Sequence, residues 1–281
     1  MPSYDTPEPI LANLEPVVGN VRIIASDRTD TVVDVQPSNA SDASDVKAAD
    51  QTVVEFSAGT LTVRAPKLRP LDFSTKTRSI DVTVELPEGS QVLGSTALGH
   101  LHGTGRLGKT RYKSGTGHIQ LDQTDESHLH TATGNVVVEH IAGKAEVSTS
   151  SGRVHVGAVT GTTVVKNSNG ATTIGSAGGA VRVRAANGDI TVEHADDGVD
   201  AKTANGSVRV LDAVRGALTL ETAMGDIEIG IREGSAAWLD VKTRFGRVHN
   251  DMDAAAAPDA ATDTVEARAN TSFGDIAVHR S

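Results

Sequence analysis

The stretches KNSNGATTIG (Lys166–Gly175), RAANGDITVEH (Arg184–His194) and KTANGSVRVL (Lys202–Leu211) write one turn and one strand three times at an even spacing. The underlying pattern is Thr-x-x-Gly-x-Val-x-Val, with Asn, Ile or Leu as variants. Working outward, its glycine falls at Gly99, Gly117, Gly134, Gly152, Gly170, Gly188, Gly206, Gly225, Gly246 and Gly274. The first intervals are 18, 17, 18, 18, 18 and 18 residues, and they then widen to 19, 21 and 28. A period in this range, sustained over many units, marks a repeat architecture.

Within a unit the apolar period is two. After the glycine come Ile119/Leu121, Val136/Val138, Val154/Val156, Ile190/Val192, Val208/Val210 and Ile227/Ile229. Before it, Val181/Val183, Leu218/Leu220 and Leu239/Val241 share a face that continues into Thr131, Thr149, Asn167, Ala185, Thr203, Thr222 and Thr243. A second glycine marks the other corner at Gly143, Gly161, Gly179, Gly198, Gly216 and Gly234. One unit has an apolar face and nothing to bury it against, whereas units stacked in register bury it continuously. The sequence therefore predicts an all-β, single-stranded β-solenoid. Its coils have about 18 residues, with two strands and two Gly turns each. Like residues form ladders, Asn169 on Asn187 on Asn205, and the Asn just before the glycine suit αL-type turn positions. A meander of antiparallel hairpins is the competing arrangement. Eighteen residues also fit a three-sided coil, but two apolar runs per unit favour two sheets.

The composition agrees with thin, β-branched packing. Aromatics are 2 % of 281 residues, and there are 28 Gly and 9 Pro. The absence of Cys excludes disulfides and thiolate metal sites. A net charge of −10 argues against nucleic-acid binding. The start, MPSYDTPEPILANLEP, has neither a basic n-region nor an apolar h-region, and no run is long enough to span a membrane. These features lead to the expectation of a cytoplasmic protein without membrane insertion.

Four regions are expected. Residues 1–95 read as irregular β-rich coils that cap the stack, through NVRIIA, TVVDVQ, TVVEF, GTLTVRA, SIDVTVELP and QVLGST, with a small separate sandwich as the alternative. The polar connector Pro37–Gln51 leaves room for one helical turn. Residues 96–249 carry the regular repeat, and 250–263 form an acidic, Ala-rich mobile loop. Residues 264–281 supply the last strand pair, which ends the stack. Trp238, Phe245 and Phe273 are expected to close the core there, with Asp275, His279 and Arg280 discouraging edge pairing.

Candidate chemistry is sparse. Gly-Asp at Asp189, Asp226 and Asp275 invites comparison with calcium β-rolls, but Arg153 and Arg247 fall in the same column. His100, His102 and His118 form the one candidate metal triad, with His100 and His118 in one column; exposed histidines on a polar face are the plainer reading. Lys166, Arg184 and Lys202 fall on consecutive rungs as a basic stripe that could meet an anionic polymer or a neighbouring subunit. Asp189/Glu193 and Asp226/Glu228 can be offered as carboxylate pairs for glycoside chemistry, but nothing marks them above the other scattered carboxylates and no aromatic platform accompanies them. No nucleophile elbow, P-loop, dinucleotide fingerprint or His-Glu-x-x-His is present, and no cofactor is expected.

TVELPEGSQV, followed by GTGHIQL, ATGNVVVEHIAG, SSGRVHVG, SNGATTIG and AMGDIEIGIREG, resembles the bacterial putative-adhesin β-strand-repeat family of unknown function, most of all its soluble actinobacterial type. The resemblance runs from YDTPEPI to SFGDIAVHR and implies a β-solenoid, with no catalytic residues to carry over. Many members have export signals or membrane anchors and are associated with envelope stress; neither segment is evident here. Three functions follow as expectations. The first is a non-catalytic scaffold or interaction protein that binds a protein partner or self-associates through flat ladder faces. The second is a binding module for an anionic or carbohydrate polymer along the Lys/Arg stripe. The third is a carbohydrate-active enzyme.

Overall fold

Each repeat glycine turns the chain from one sheet into the other, and Gly188 shows why the residue is needed. Its φ is +134°, and a Cβ there would lie 2.2 Å from the carbonyl oxygen of Gly170 one coil away. The strands before and after these glycines build two sheets, called here the pre-glycine and post-glycine sheets. The computed structural model describes residues 1–66, 78–252 and 263–281. They fall into two units, Met1–Val138 and Glu139–Ser281.

In the second unit the pre-glycine sheet runs, in spatial order, Ala145–Ser151, Thr163–Asn169, Val181–Asn187, Val199–Asn205, Gly216–Met224, Thr264–Phe273 and Ala236–Phe245. The post-glycine sheet runs Val154–Val159, Thr172–Ala177, Ile190–Ala195, Val208–Ala213, Ile227–Ile231, Ile276–Arg280 and Val248–Asn250. The pairings are parallel and one coil apart, such as Val165 with Val183 and Ile190 with Val208. The two-sheet coil predicted from the paired apolar runs is therefore the architecture. The post-glycine pairs named above are all buried to within 1 %.

Coils are tied by side chains as well as by the sheet ladder. The Thr of Thr-x-x-Gly donates to the glycine carbonyl of the adjacent coil: Thr131 to Gly117 (3.0 Å), Thr203 to Gly188 (3.2 Å), Thr222 to Gly206 (2.8 Å) and Thr271 to Gly225 (3.0 Å). Asn167 does the same with its amide, donating to Gly152 at 3.1 Å. Asn205 donates to Asn187 (2.7 Å) and Asn187 to Asn169 (2.8 Å), the expected amide ladder. The left-handed backbone, however, belongs to the glycines; among the described residues only Ala58 and Arg78 have positive φ without being glycine.

The end of the second unit corrects one expectation. Thr264–Phe273 and Ile276–Arg280 do not end the stack, because they lie between the coil of Gly216–Ile231 and the coil of Ala236–Asn250. The outermost coil is the earlier one in sequence, and the widened 28-residue interval is the return path. Residues 253–262 of the expected acidic loop lie outside the described residues. The aromatic cap is corrected too. Trp238 (53 %), Phe245 (55 %) and Phe273 (54 %) are exposed on the outside rather than closing the core. The strand Ile276–Arg280 that carries His279 and Arg280 likewise does not end the stack, since it pairs with Ile227–Ile231 on one side and, as far as Val278, with Val248–Asn250 on the other.

The first unit ends differently. Its pre-glycine sheet runs Val53–Ser57, Thr60–Arg64, Leu11–Glu15, Gln91–Leu98, Thr110–Thr116 and Ser127–Thr133; its post-glycine sheet runs Ser3–Asp5, Asp30–Pro37, Ile80–Pro87, Val21–Ser26, Leu101–Leu107 and Ile119–Thr124. The outer strands pair antiparallel: Val53–Ser57 on Thr60–Arg64, and Ser3–Asp5 on Asp30–Pro37, itself antiparallel to Ile80–Pro87. The connector contains a two-turn helix, Ala43–Asp50, longer than the single turn expected. Asp42 caps it, and its buried Asp45 accepts the Ser79 N–H at 2.8 Å. The irregularity predicted for residues 1–95 is partial. Leu11–Ser26 is a regular coil turning at Gly19, whose φ is +124°, and the motif Gly19-Asn-Val-Arg-Ile was already legible in the sequence.

Candidate interaction face

Lys166, Arg184 and Lys202 stand on three adjacent strands in direct register, as the repeat predicted. Their side chains leave the outer face of the pre-glycine sheet, because alternate residues Val165, Val183 and Ala201 are buried. Beside them lies a shallow depression of about 500 Å³, lined by Thr163, Val181, Arg182, Arg184, Asp200 and Lys202 among others. Its rim is basic, but the charges are partly answered. Arg184 donates to Asp200 Oδ2 and to the Asp200 and Val183 carbonyls (3.0 and 2.9 Å), Arg182 reaches the same carboxylate at 3.3 Å, and Lys202 pairs with Glu221 at 2.7 Å. Asp200 is thus held by two arginines. The Arg184 hydrogen bond outweighs burial and holds the Asp200 carboxyl below the usual carboxylate range. Lys166 is exposed and has no ion pair among the described residues. Four cations against Asp200, Glu221 and, on the strand beside Lys166, Glu146 leave this face positive on a chain whose net charge is −10.

The histidine triad resolves into a pair and a separate residue. His100 and His118 are exposed and stack with ring centroids 4.9 Å apart at 12°. Each Nδ1 accepts a backbone N–H from the next coil, that of His118 and that of Asn135, both at 2.9 Å. His102 lies in the neighbouring column beside Arg22 and Gln120. No group of three His, Asp or Glu is placed to hold a metal among the described residues.

The His100/His118 pair belongs to a wider device. The residue after the turn glycine accepts the N–H of its counterpart one coil on: Asp189 from Ser207 (2.8 Å), Asp226 from Asp275 (2.8 Å) and Asp275 from Arg247 (2.8 Å). The recurring Gly-Asp is therefore a backbone-linking position. Of the carboxylate pairs, Asp189 and Asp226 are engaged in this way, while Glu228 contacts Arg209 (3.5 Å) and His279 (3.3 Å).

One polar cluster escaped the sequence reading. His194 lies between Asp212 (Nδ1, 2.8 Å) and Asp196 (Nε2, 3.0 Å), and Asp212 also takes Arg232 and the Ser281 hydroxyl (2.9 Å). Burial pushes the Asp212 carboxyl up, but Arg232 and His194 outweigh it and bring it below its ordinary value. The signal was present: Asp212 follows His194 by 18 residues, one repeat.

Among solved structures, the fold is similar to a putative adhesin from Parabacteroides merdae, 10 % identical over 99 % of this chain and 95 % of that one, with a TM-score of 0.42. It is also similar to a putative adhesin from Bacteroides fragilis (13 %, 99 % and 95 %, TM-score 0.31) and a putative cell adhesion protein from Clostridium sporogenes (11 %, 100 % and 98 %, TM-score 0.24). No curated protein matches the sequence. Residues 19–279 match the model of the Toastrack DUF4097 family, and the chain belongs to that family.

Proposed function

We propose that this chain is a non-catalytic interaction protein that docks an anionic protein segment on the outer face of the pre-glycine sheet in its second unit. The observation that supports this reading is the in-register row Lys166, Arg184 and Lys202 beside the shallow depression. A flat sheet with fixed backbone loses little entropy on binding, so modest contacts suffice. Arg184 and Lys202 exchange their internal carboxylates for those of the partner, and Lys166 makes the first contact. Steering of this kind weakens as salt screens it.

Binding of a fluorescent poly-glutamate peptide, followed by anisotropy at low and high salt, tests this reading. Affinity should fall with salt, and Lys166→Glu with Arg184→Glu should reduce it at least about tenfold. Binding that ignores both salt and these substitutions contradicts it. The even spacing of the row, about 4.8 Å per rung, favours an anionic polysaccharide as the second reading. A polyuronate that binds more tightly than the peptide through the same residues would select it.

A further inference from the structure

The outermost coil of the second unit is unfinished. Leu239 and Val241 point inward, beside the buried Ala267 and Ala269, yet no residue of Ala236–Phe245 is buried. Ala236 donates its N–H to Asp263, toward the neighbouring strand, at 2.8 Å. Strand alternation then turns the N–H and C=O groups of Leu239, Val241 and Thr243 to the other side, where nothing among the described residues meets them. A ten-residue edge whose outward backbone groups meet no described residue is a template for another strand.

We propose that this edge pairs with the same edge of a second copy of the chain, antiparallel across a two-fold axis at Val241. A closed pair that uses one edge twice must be antiparallel, and side chains share a face only when the axis passes through a residue. Charge selects which residue. An axis at Asp240 sets Asp240 against its own copy, and one at Lys242 sets Lys242 against its own copy. At Val241, Asp240 of each copy faces Lys242 of the other, twice. Trp238 faces Arg244, twice, a cation–π pairing. Trp238 already takes a guanidinium, with Arg268 at 5.8 Å, and Lys242 already holds the Asp240 of its own strand at 2.8 Å, so both groups accept such partners. The backbone agrees: Val241 exchanges both hydrogen bonds with its copy, and Leu239 does so with Thr243. The half-buried inner row of Leu239 and Val241 then becomes core. This surface is an edge rather than a face, so it stands apart from the basic row.

Sedimentation equilibrium over a hundredfold concentration range should show the mass rising from 29.1 kDa toward twice that value and no further. Lys242→Asp alone and Asp240→Lys alone should each weaken the dimer at least about tenfold, since each sets like charges opposite. An equimolar mixture of the two variants should restore it as a heterodimer. One variant then carries carboxylates at both positions and the other carries ammonium groups at both, so each facing pair is again of opposite charge. As a second measurement, Val241→Cys in this cysteine-free chain should oxidise to a covalent dimer, while Thr243→Cys, which faces Leu239 of the other copy, should not. A monomer at every concentration, open-ended growth, or a dimer indifferent to the charge variants would each overturn the proposal.

Discussion

Leu61 and Leu239 each stand on the last parallel strand of the pre-glycine sheet in their units, directly beside an alanine, Ala12 and Ala267, but beyond Leu61 the sheet has one more strand, the antiparallel Val53–Ser57. Leu61 is fully buried, whereas Leu239 is only half-buried. The difference comes from what the chain spends residues on. Around Leu61, the hairpin Val53–Arg64, the strand Asp30–Pro37 and the helix Ala43–Asp50 turn the last parallel strands into antiparallel, covered ones. Around Leu239 the strand Ala236–Phe245 pairs with Thr264–Phe273 on one side and with no described residue on the other. The solenoid repeat is self-propagating, and an end is closed only where the sequence departs from it.

Core truncation should break the symmetry between the ends most clearly. Leu61→Ala should cost about 3 kcal/mol, as a buried leucine does, whereas Leu239→Ala should cost about 1 kcal/mol or less in the monomer. Denaturant melts at low protein concentration check the pair, and equal costs would mean the two ends are equally closed. A second contrast sets the rung against the cap. Gly188→Ala drives a Cβ into the Gly170 carbonyl and should cost about 3 kcal/mol, whereas Gly59→Ala, at a hairpin tip with φ +74° and open space around it, should cost about 1 kcal/mol. Thermal melts of the two variants check this. The smallest effect concerns the basic face. The Asp200 carboxyl titrates lower when folded, so its contribution is complete above the unfolded value of about 3.9 and is lost as pH falls through the folded one. Asp200→Asn should therefore lower Tm slightly at pH 7, with the gap to the parent closing as pH falls below the unfolded value.

Much of this was legible because the repeat fixes register. Eighteen residues put Val on Val, Lys166 beside Arg184, and His194 within reach of Asp212. Sequence patterning stops being informative where neighbours in space are no longer one repeat apart. The 28-residue interval before Gly274 shows that something is inserted, but not that Thr264–Arg280 returns inside the preceding coil. At the other end, Gly19-Asn-Val-Arg-Ile carries the motif, yet the 80-residue interval from Gly19 to Gly99 hides that the two glycines are spatial neighbours. The Gly-Asp recurrence, set apart from calcium β-rolls by Arg153 and Arg247 in its column, gained a role only from the geometry: Asp189, Asp226 and Asp275 each accept a backbone N–H, a role that His100, His118 and Ser207 can also fill. The aromatics misled, since size suggested burial where the chain leaves Phe245 stacked on Phe273 in the open.

Amide hydrogen exchange at increasing protein concentration tests the contrast between the ends most directly. Leu61 and Val63 should be protected equally at every concentration. The amides of Leu239, Val241 and Thr243 should exchange fast when dilute and gain protection together as the chain is concentrated. Protection at Val241 that is already high in dilute solution, or that never rises, would contradict an open end completed by a second copy.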